Sequence, residues 1–169
     1  MLSEKMVNKL NDQIGVEFFS SNIYLQMSSW CDSQGLENCA AFFREHATEE
    51  MQHMHKIFDY MCEKGAMPII GKLDQPKNDY TTIHEVFEEA YEHEKFVTGT
   101  INDLVSVSYD EKDWATFNYL QWFVAEQVEE EALFGKVLDK IKLIGTGGES
   151  LYFIDQEIGT LVGAEAQAC

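Results

Sequence analysis

Four long stretches of this chain repeat apolar residues with a period near 3.6, the mark of amphipathic helices. In the first, Leu10, Ile14, Ser21 and Tyr24 share one face, and Phe19, Ile23, Met27 and Trp30 form a second. In the second, Phe43, Ala47, Met54 and Ile57 line up. The third carries Phe87, Ala90, Tyr91, Val97, Thr98 and Ile101, and the fourth Leu120, Phe123, Phe134 and Val137. Punctuation falls between them. Ser3 suits a first N-cap, Gly35 breaks the chain, Gly65 suits a C′ position, and Thr82-Ile83-His84-Glu85 fits a capping box. Asp110-Glu111-Lys112-Asp113 reads as a turn, and Gly145-Thr146-Gly147-Gly148 as a break. The expected helices cover residues 4–33, 36–64, 82–109 and 113–144. A short fifth, 149–162, repeats Leu151, Ile154, Ile158, Leu161 and Val162 at helical spacing, and Gly163 to Cys169 read as a frayed tail.

Residues 66–80, with Pro68, Gly71 and Pro76, have no periodicity. Fifteen extended residues reach roughly 50 Å, and a helix such as the second is about 40 Å long. The segment can therefore run the length of a bundle and start the third helix parallel to the second. The pattern predicts an all-α fold within one domain, 1–169: a four-helix bundle with one long crossover loop and a short C-terminal helix. The two-faced first helix must be covered twice, and a second subunit is the expected cover.

Composition narrows the function. The chain has 30 acidic residues against 12 Lys and Arg, a net charge of −18. That excludes wrapping a nucleic-acid backbone and favours attracting cations. No run of eighteen apolar residues exists, so no membrane span is expected. Met1-Leu2-Ser3-Glu4-Lys5 leads into an amphipathic stretch without a signal-like apolar core, so a cytoplasmic location is expected. Cys31, Cys39, Cys62 and Cys169 lack metal-type spacing and read as free thiols.

The stripes carry unexpected polar residues. Glu17, Glu50, Glu94, Gln127 and Glu130 all fall on inward faces that hold no Lys or Arg. An unpaired carboxylate in an apolar core is costly, and a shared cation is the simplest compensation. His53 stands three residues after Glu50, on the same side of its helix. Carboxylate plus imidazole suits iron, manganese or zinc. An internal repeat supports the grouping: Glu17 and Glu94, Glu50 and Gln127, and His53 and Glu130 are each 77 residues apart. Two helix pairs related by a pseudo-twofold axis would gather these six side chains at mid-bundle.

Across nearly its whole length the chain resembles bacterial non-haem ferritin of the ferritin A type. The stretches that carry the likeness are Glu17 with Tyr24, Glu49-Glu50-Met51-Gln52-His53, Glu94, Gln127-Val128-Glu129-Glu130, and Gly148-Glu149-Ser150-Leu151-Tyr152-Phe153-Ile154-Asp155. The resemblance implies a ferritin-like bundle assembled into a hollow shell of twenty-four subunits with octahedral symmetry. It implies a ferroxidase: Fe(II) is oxidised by dioxygen or hydrogen peroxide at a di-iron centre, and ferric mineral is stored inside. On the matching positions, Glu17, Glu50 and His53 would hold one iron, and Glu50, Glu94 and Glu130 the second. Gln127 would sit beside the pair. Glu49, Glu126 and Glu129, with Glu130, would form a third iron site. Tyr24 would hydrogen-bond a ligand or supply an electron, whereas Trp122 reads as packing. Nucleic-acid and membrane partners are not expected.

Two departures separate the relatives. Bacterioferritin and the di-iron oxygenases carry a second Glu-x-x-His, where this chain has Gln127-Val128-Glu129-Glu130. That favours a labile second site over a permanent cofactor. Met51 matches bacterioferritin's haem-ligating position, but non-haem ferritins share it, so no haem is expected. A di-iron redox enzyme handling peroxide without bulk storage is the alternative. A purely structural helical assembly leaves the buried polar set unexplained.

Overall fold

The computed structural model describes residues 1–145, 147 and 149–165, with side chains up to Leu161. It contains α1 (Glu4–Ser33), α2 (Glu37–Glu63), α3 (Ile83–Asp110), α4 (Trp114–Ile144) and α5 (Ser150–Glu165). Thr146, Gly148, the Val162 side chain and Cys169, all named above, lie outside the described residues, as does most of the expected tail.

Local chemistry sets the ends. Ser3 caps α1, its Oγ accepting from Met6 N at 3.0 Å. Gly35 and Gly65 take φ of 74°. Each closes its helix with a 6→1 bond, Leu36 N to Cys31 O at 3.0 Å and Ala66 N to Met61 O at 2.9 Å. Thr82 caps α3 by accepting from Glu85 N at 3.1 Å. The return half of the box differs from expectation. Glu85 accepts from Thr81 N at 2.8 Å, one residue earlier than Thr82, and is held there by Lys77 at 2.8 Å.

Side-chain pairings fix the topology. Ser21 Oγ donates to Ala47 O and Ser28 Oγ to Ala40 O, so α1 and α2 are antiparallel. Ser20 pairs with His93, and Lys9 lies 3.5 Å from Asp103, so α1 and α3 are antiparallel too. The α2 and α3 helices are therefore parallel, as one full-length crossover requires. That crossover is pinned along α1 at both ends: Ile69 N donates to Asn11 Oδ1 at 2.8 Å, and Trp30 Nε1 to Tyr80 O at 3.2 Å. Part of the second apolar face of α1 is thus covered from within the chain, with Phe19 and Trp30 still partly exposed. Ile23 and Met27 are buried, and half-buried Trp30 meets Tyr80 edge-on. The sequence pattern could not show this, because the crossover has no period of its own.

The interior is two apolar clusters rather than one. Tyr24, Phe42, Phe43, Phe87 and Phe134 centre the first; Leu10, Ile14, Ile57, Leu104 and Phe123 centre the second. Each cluster draws on all four long helices. Ile154 and Ile158 of α5 join the first, while Leu151, Tyr152 and Phe153 are exposed. Among the described cysteines, Cys31 and Cys39 are buried, Cys62 is exposed, and all three are free. Burial pushes the Cys31 thiol up to about 12, which makes it inert packing. No helix among the described residues is long and apolar enough to cross a membrane.

Two carboxylates tie the α5 helix to the bundle: Glu157 accepts from Lys140 of α4 at 2.7 Å, and Asp155 reaches α2. Leu36, the N-cap of α2, has no side chain to offer the helix's free amides. Buried Asp155 supplies the missing acceptor from α5: Cys39 N donates to it at 3.0 Å and Asn38 Nδ2 at 2.9 Å. The helices approach closely, since a Cβ at Gly159 would lie 2.7 Å from Asn38 Oδ1. Asp155→Ala should therefore cost about 1–2 kcal/mol, the usual loss for a helix cap, and speed hydrogen exchange at the Cys39 amide and along α5. Unchanged exchange at Cys39 would show that α5 holds α2 by apolar contact alone.

Candidate metal centre

A polar layer separates the two apolar clusters. Glu17, Glu50, His53, Glu94, Gln127 and Glu130 all lie in it, none more than 5% exposed. Each sits one or two turns from the large apolar residues of its own stripe, so helical periodicity carries it inward with them.

Three groups of candidate ligands form. Glu17, Glu50 and His53 bring one ligand atom each within 4.8 Å of one another. His46, Glu49 and Glu130 make a second group, and Glu49, His53 and Glu126 a third. His53 faces two of them, with Nδ1 3.6 Å from Glu50 Oε2 and Nε2 3.9 Å from Glu126 Oε1. Glu94 joins none of the three groups. Its carboxylate accepts from the Tyr24 hydroxyl and from Gln127 Nε2 at 3.0 Å. Gln127 also reaches Thr98 Oγ1 at 3.4 Å. Glu129, expected beside Glu126, is exposed and outside the three groups. The half-exposed Trp122 packs edge-on against His53, 5.4 Å between centroids, with Lys56 4.0 Å above its ring.

The electrostatics are those of acids crowded in a dry space. Gln13 Nε2 donates to Glu17 Oε1 at 2.9 Å, but Glu17 Oε2, Glu50 Oε2 and Glu130 Oε2 have no hydrogen-bond partner. Burial, and then the neighbouring Glu50, hold the Glu17 carboxyl well above its ordinary range. Burial and then Glu94 do the same to Glu50. Glu130 is pushed up to about 10 by burial, Glu94 and Glu50. Burial raises Glu94 less, because the bonds from Tyr24 and Gln127 favour its charged form. Tyr24 keeps its proton, since burial and Glu94 both oppose a phenolate. Such a layer is stable either protonated or around cations. Its oxygens and single lone imidazoles suit hard and borderline divalent metals.

Two members escaped the sequence reading. His46 lies four residues before Glu50 and seven before His53, on the same helical stripe, so the signal was present. The repeat hid it, because the residue 77 positions later is Phe123. Gln13 was hidden likewise, its counterpart being Ala90. A repeat reports only polar positions that both halves keep.

Known proteins agree with this architecture. Residues 7–144 match the ferritin-like domain family. The chain is 51% identical over 161 residues to a probable bacterial non-heme ferritin-like protein of Haemophilus influenzae, covering 95% of this chain and 98% of that protein. It is 47% identical over 161 residues to the bacterial non-heme ferritin of Escherichia coli, with the same coverage. An open pore ferritin of Archaeoglobus fulgidus superposes with a TM-score of 0.91 at 42% identity, over 94% of this chain and 98% of that one.

The raised carboxyls fix a pH dependence. Glu130 titrates at about 10 when folded and near 4.5 when unfolded, so the folded state holds more protons and rising pH removes stability. His46, lowered to about 4 by burial from an ordinary 6.5, acts oppositely, but only below that value. Between about pH 7 and 9 the buried imidazoles no longer oppose the carboxyls and the raised Cys31 thiol acts in the same direction, so the thermal midpoint of metal-stripped protein should fall as pH rises. Glu130→Gln should flatten that slope, and Zn(II) added at pH 7 should release protons into a weak buffer. A midpoint that rises across this window would mean the layer is ionised without metal.

Proposed function

Because the chain belongs to the ferritin-like family, among the bacterial non-haem ferritins, we propose that it stores iron and oxidises Fe(II) on the way in. The observation that carries this is the set of buried, partnerless carboxylate oxygens on Glu17, Glu50 and Glu130, gathered with His53 between two apolar clusters. Glu17, Glu50 and His53 hold the first Fe(II). Glu50 and Glu130 reach toward a second, with Glu94 beside them. Oxygen-rich ligation stabilises Fe(III) over Fe(II), so the donor set itself favours oxidation by dioxygen or peroxide. Tyr24 and Gln127 orient Glu94 through hydrogen bonds. Glu49 and Glu126, half-buried beside His53, offer oxidised iron its next ligands, with exposed Glu129 beyond.

Storage needs an enclosed volume, which one bundle does not have. We assign the chain to a homo-oligomeric shell, of twenty-four copies by likeness to its family, working in the cytoplasm. Exposed apolar residues at separate places support several contact surfaces: Met67, Ile69 and Ile70 on the crossover, Tyr109 and Trp114 at the α3–α4 turn, and Tyr152 and Phe153 on α5.

Aerobic loading with a large excess of Fe(II), followed by size-exclusion chromatography and iron assay, tests the proposal. Iron should co-elute with a particle of many subunits, far beyond what the side-chain sites can hold. Iron stopping at about two per chain in a small oligomer would instead identify a di-iron redox enzyme. In the same assay Glu50→Ala should slow Fe(II) oxidation about 100-fold or more, as loss of a ligand shared by two metals requires. Unchanged kinetics would remove Glu50 from the chemistry.

A further inference from the structure

We propose that the stacked pair Tyr60 and Tyr119 is a one-electron donor to the metal layer, Tyr60 supplying the second electron when hydrogen peroxide meets a single bound Fe(II). The inference deepens the proposed iron chemistry and rests on it, because Fe(II) supplies the first electron.

The stack carries it. The two rings lie face to face, 3.7 Å between centroids and 9° from parallel. Neutral rings in that arrangement repel through their like quadrupoles, and aromatic pairs ordinarily sit edge-on or offset. Removing an electron from either ring turns the repulsion into attraction, as between a cation and a π face. Oxidation is therefore easier here than at a lone tyrosine. Ring contacts join the pair to the layer: Tyr119 lies 5.7 Å from Phe123, and Phe123 lies 6.2 Å from His53. Tyr60 stands seven residues beyond His53 on α2, about 10 Å along the axis, close enough for an electron to cross the packed core.

Only Tyr60 has an exit for its proton. Thr116 Oγ1 donates its one hydrogen to Asp113 Oδ2 at 2.5 Å, since an ionised carboxylate only accepts. Toward Tyr60, 2.8 Å away, the same oxygen must then accept, and the phenol donates. Asp113 is half-exposed and opens this chain to water. Lys64 Nζ, 5.3 Å over the Tyr60 ring, opposes a positive ring and so favours loss of the proton with the electron. The Tyr119 hydroxyl is buried without a hydrogen-bond partner, so the radical settles on Tyr60. Hydrogen peroxide takes up two electrons and two protons and becomes two waters. One electron leaves Fe(II), giving Fe(III). The other leaves Tyr60, whose O–H bond breaks to give a neutral phenoxyl radical. One proton is that of Tyr60, passed out through Thr116 and Asp113 to solvent; the other comes from solvent. The pair thus takes the oxidising equivalent that a lone iron cannot quench and holds it away from the ligands.

Rapid freeze-quench EPR of the assembled, metal-stripped protein tests this, with substoichiometric Fe(II) loaded under argon and an equal amount of hydrogen peroxide added. A tyrosyl signal should form, and should fall about tenfold in Tyr60→Phe, which lacks the O–H bond that breaks. Thr116→Val should weaken it as strongly, and Thr116→Ser should restore it. Air oxidation at about two Fe(II) per chain should be unchanged in all three variants, because two irons furnish two electrons without help. A signal undiminished in Tyr60→Phe or Thr116→Val, or none in protein that oxidises Fe(II), would overturn this inference alone. Protein that oxidises no Fe(II) would overturn it together with the proposed function.

Discussion

Burying carboxylates without counter-charges is the constraint on which this structure depends. Isolated charges in such a setting cost several kcal/mol each, and the stripes that carry Glu17, Glu50, Glu94 and Glu130 offer no Lys or Arg. The bundle meets the cost by concentrating the acids in one layer and filling both sides with aromatic and aliphatic side chains. Ordinary core packing then holds together carboxylates that would otherwise repel one another. Stability and metal affinity are opposed here: each proton the layer keeps when empty is one a cation must displace.

Much of this could be read from the residues, for identifiable reasons. Apolar periodicity placed the four helices, because amphipathic stripes are what bundles bury. Glu17, Glu50, Glu94 and Glu130 stood out because they interrupt those stripes, and the spacing of 77 tied them together. Legibility ended where partners are distant and unrepeated. Nothing in Glu94's neighbourhood along the chain announces that Tyr24 and Gln127 will occupy its oxygens. His46 lay on a visible stripe but outside the repeat. Asp155 sits 116 residues from the amide it accepts from, so no local pattern could assign it to α2. The covering of α1 by the crossover was equally hidden, since an aperiodic segment does not reveal the face it lies on.

The hydrogen bonds around Glu94 and the groups around His46 and His53 describe one continuous layer with different degrees of commitment. Glu94 is satisfied by protein donors; Glu17, Glu50 and Glu130 keep an oxygen in reserve. Tyr24 and Gln127 each use one lone pair of a Glu94 oxygen, so the bonds fix the direction of the carboxylate and leave a second lone pair on each oxygen.

The division of the interior into two apolar clusters has a consequence for assembly of the chain itself. Each α-helical hairpin carries half of the layer, and neither can desolvate it alone. Sliding one hairpin along the other by a single turn, about 5.4 Å, would press carboxylates against phenylalanine and leucine and leave apolar side chains facing acids. Continuous apolar stripes would tolerate that slip; an interrupted core does not. The polar layer therefore works as an alignment mark, and the chemistry that makes the bundle expensive also selects the one docking in which its two halves are in register.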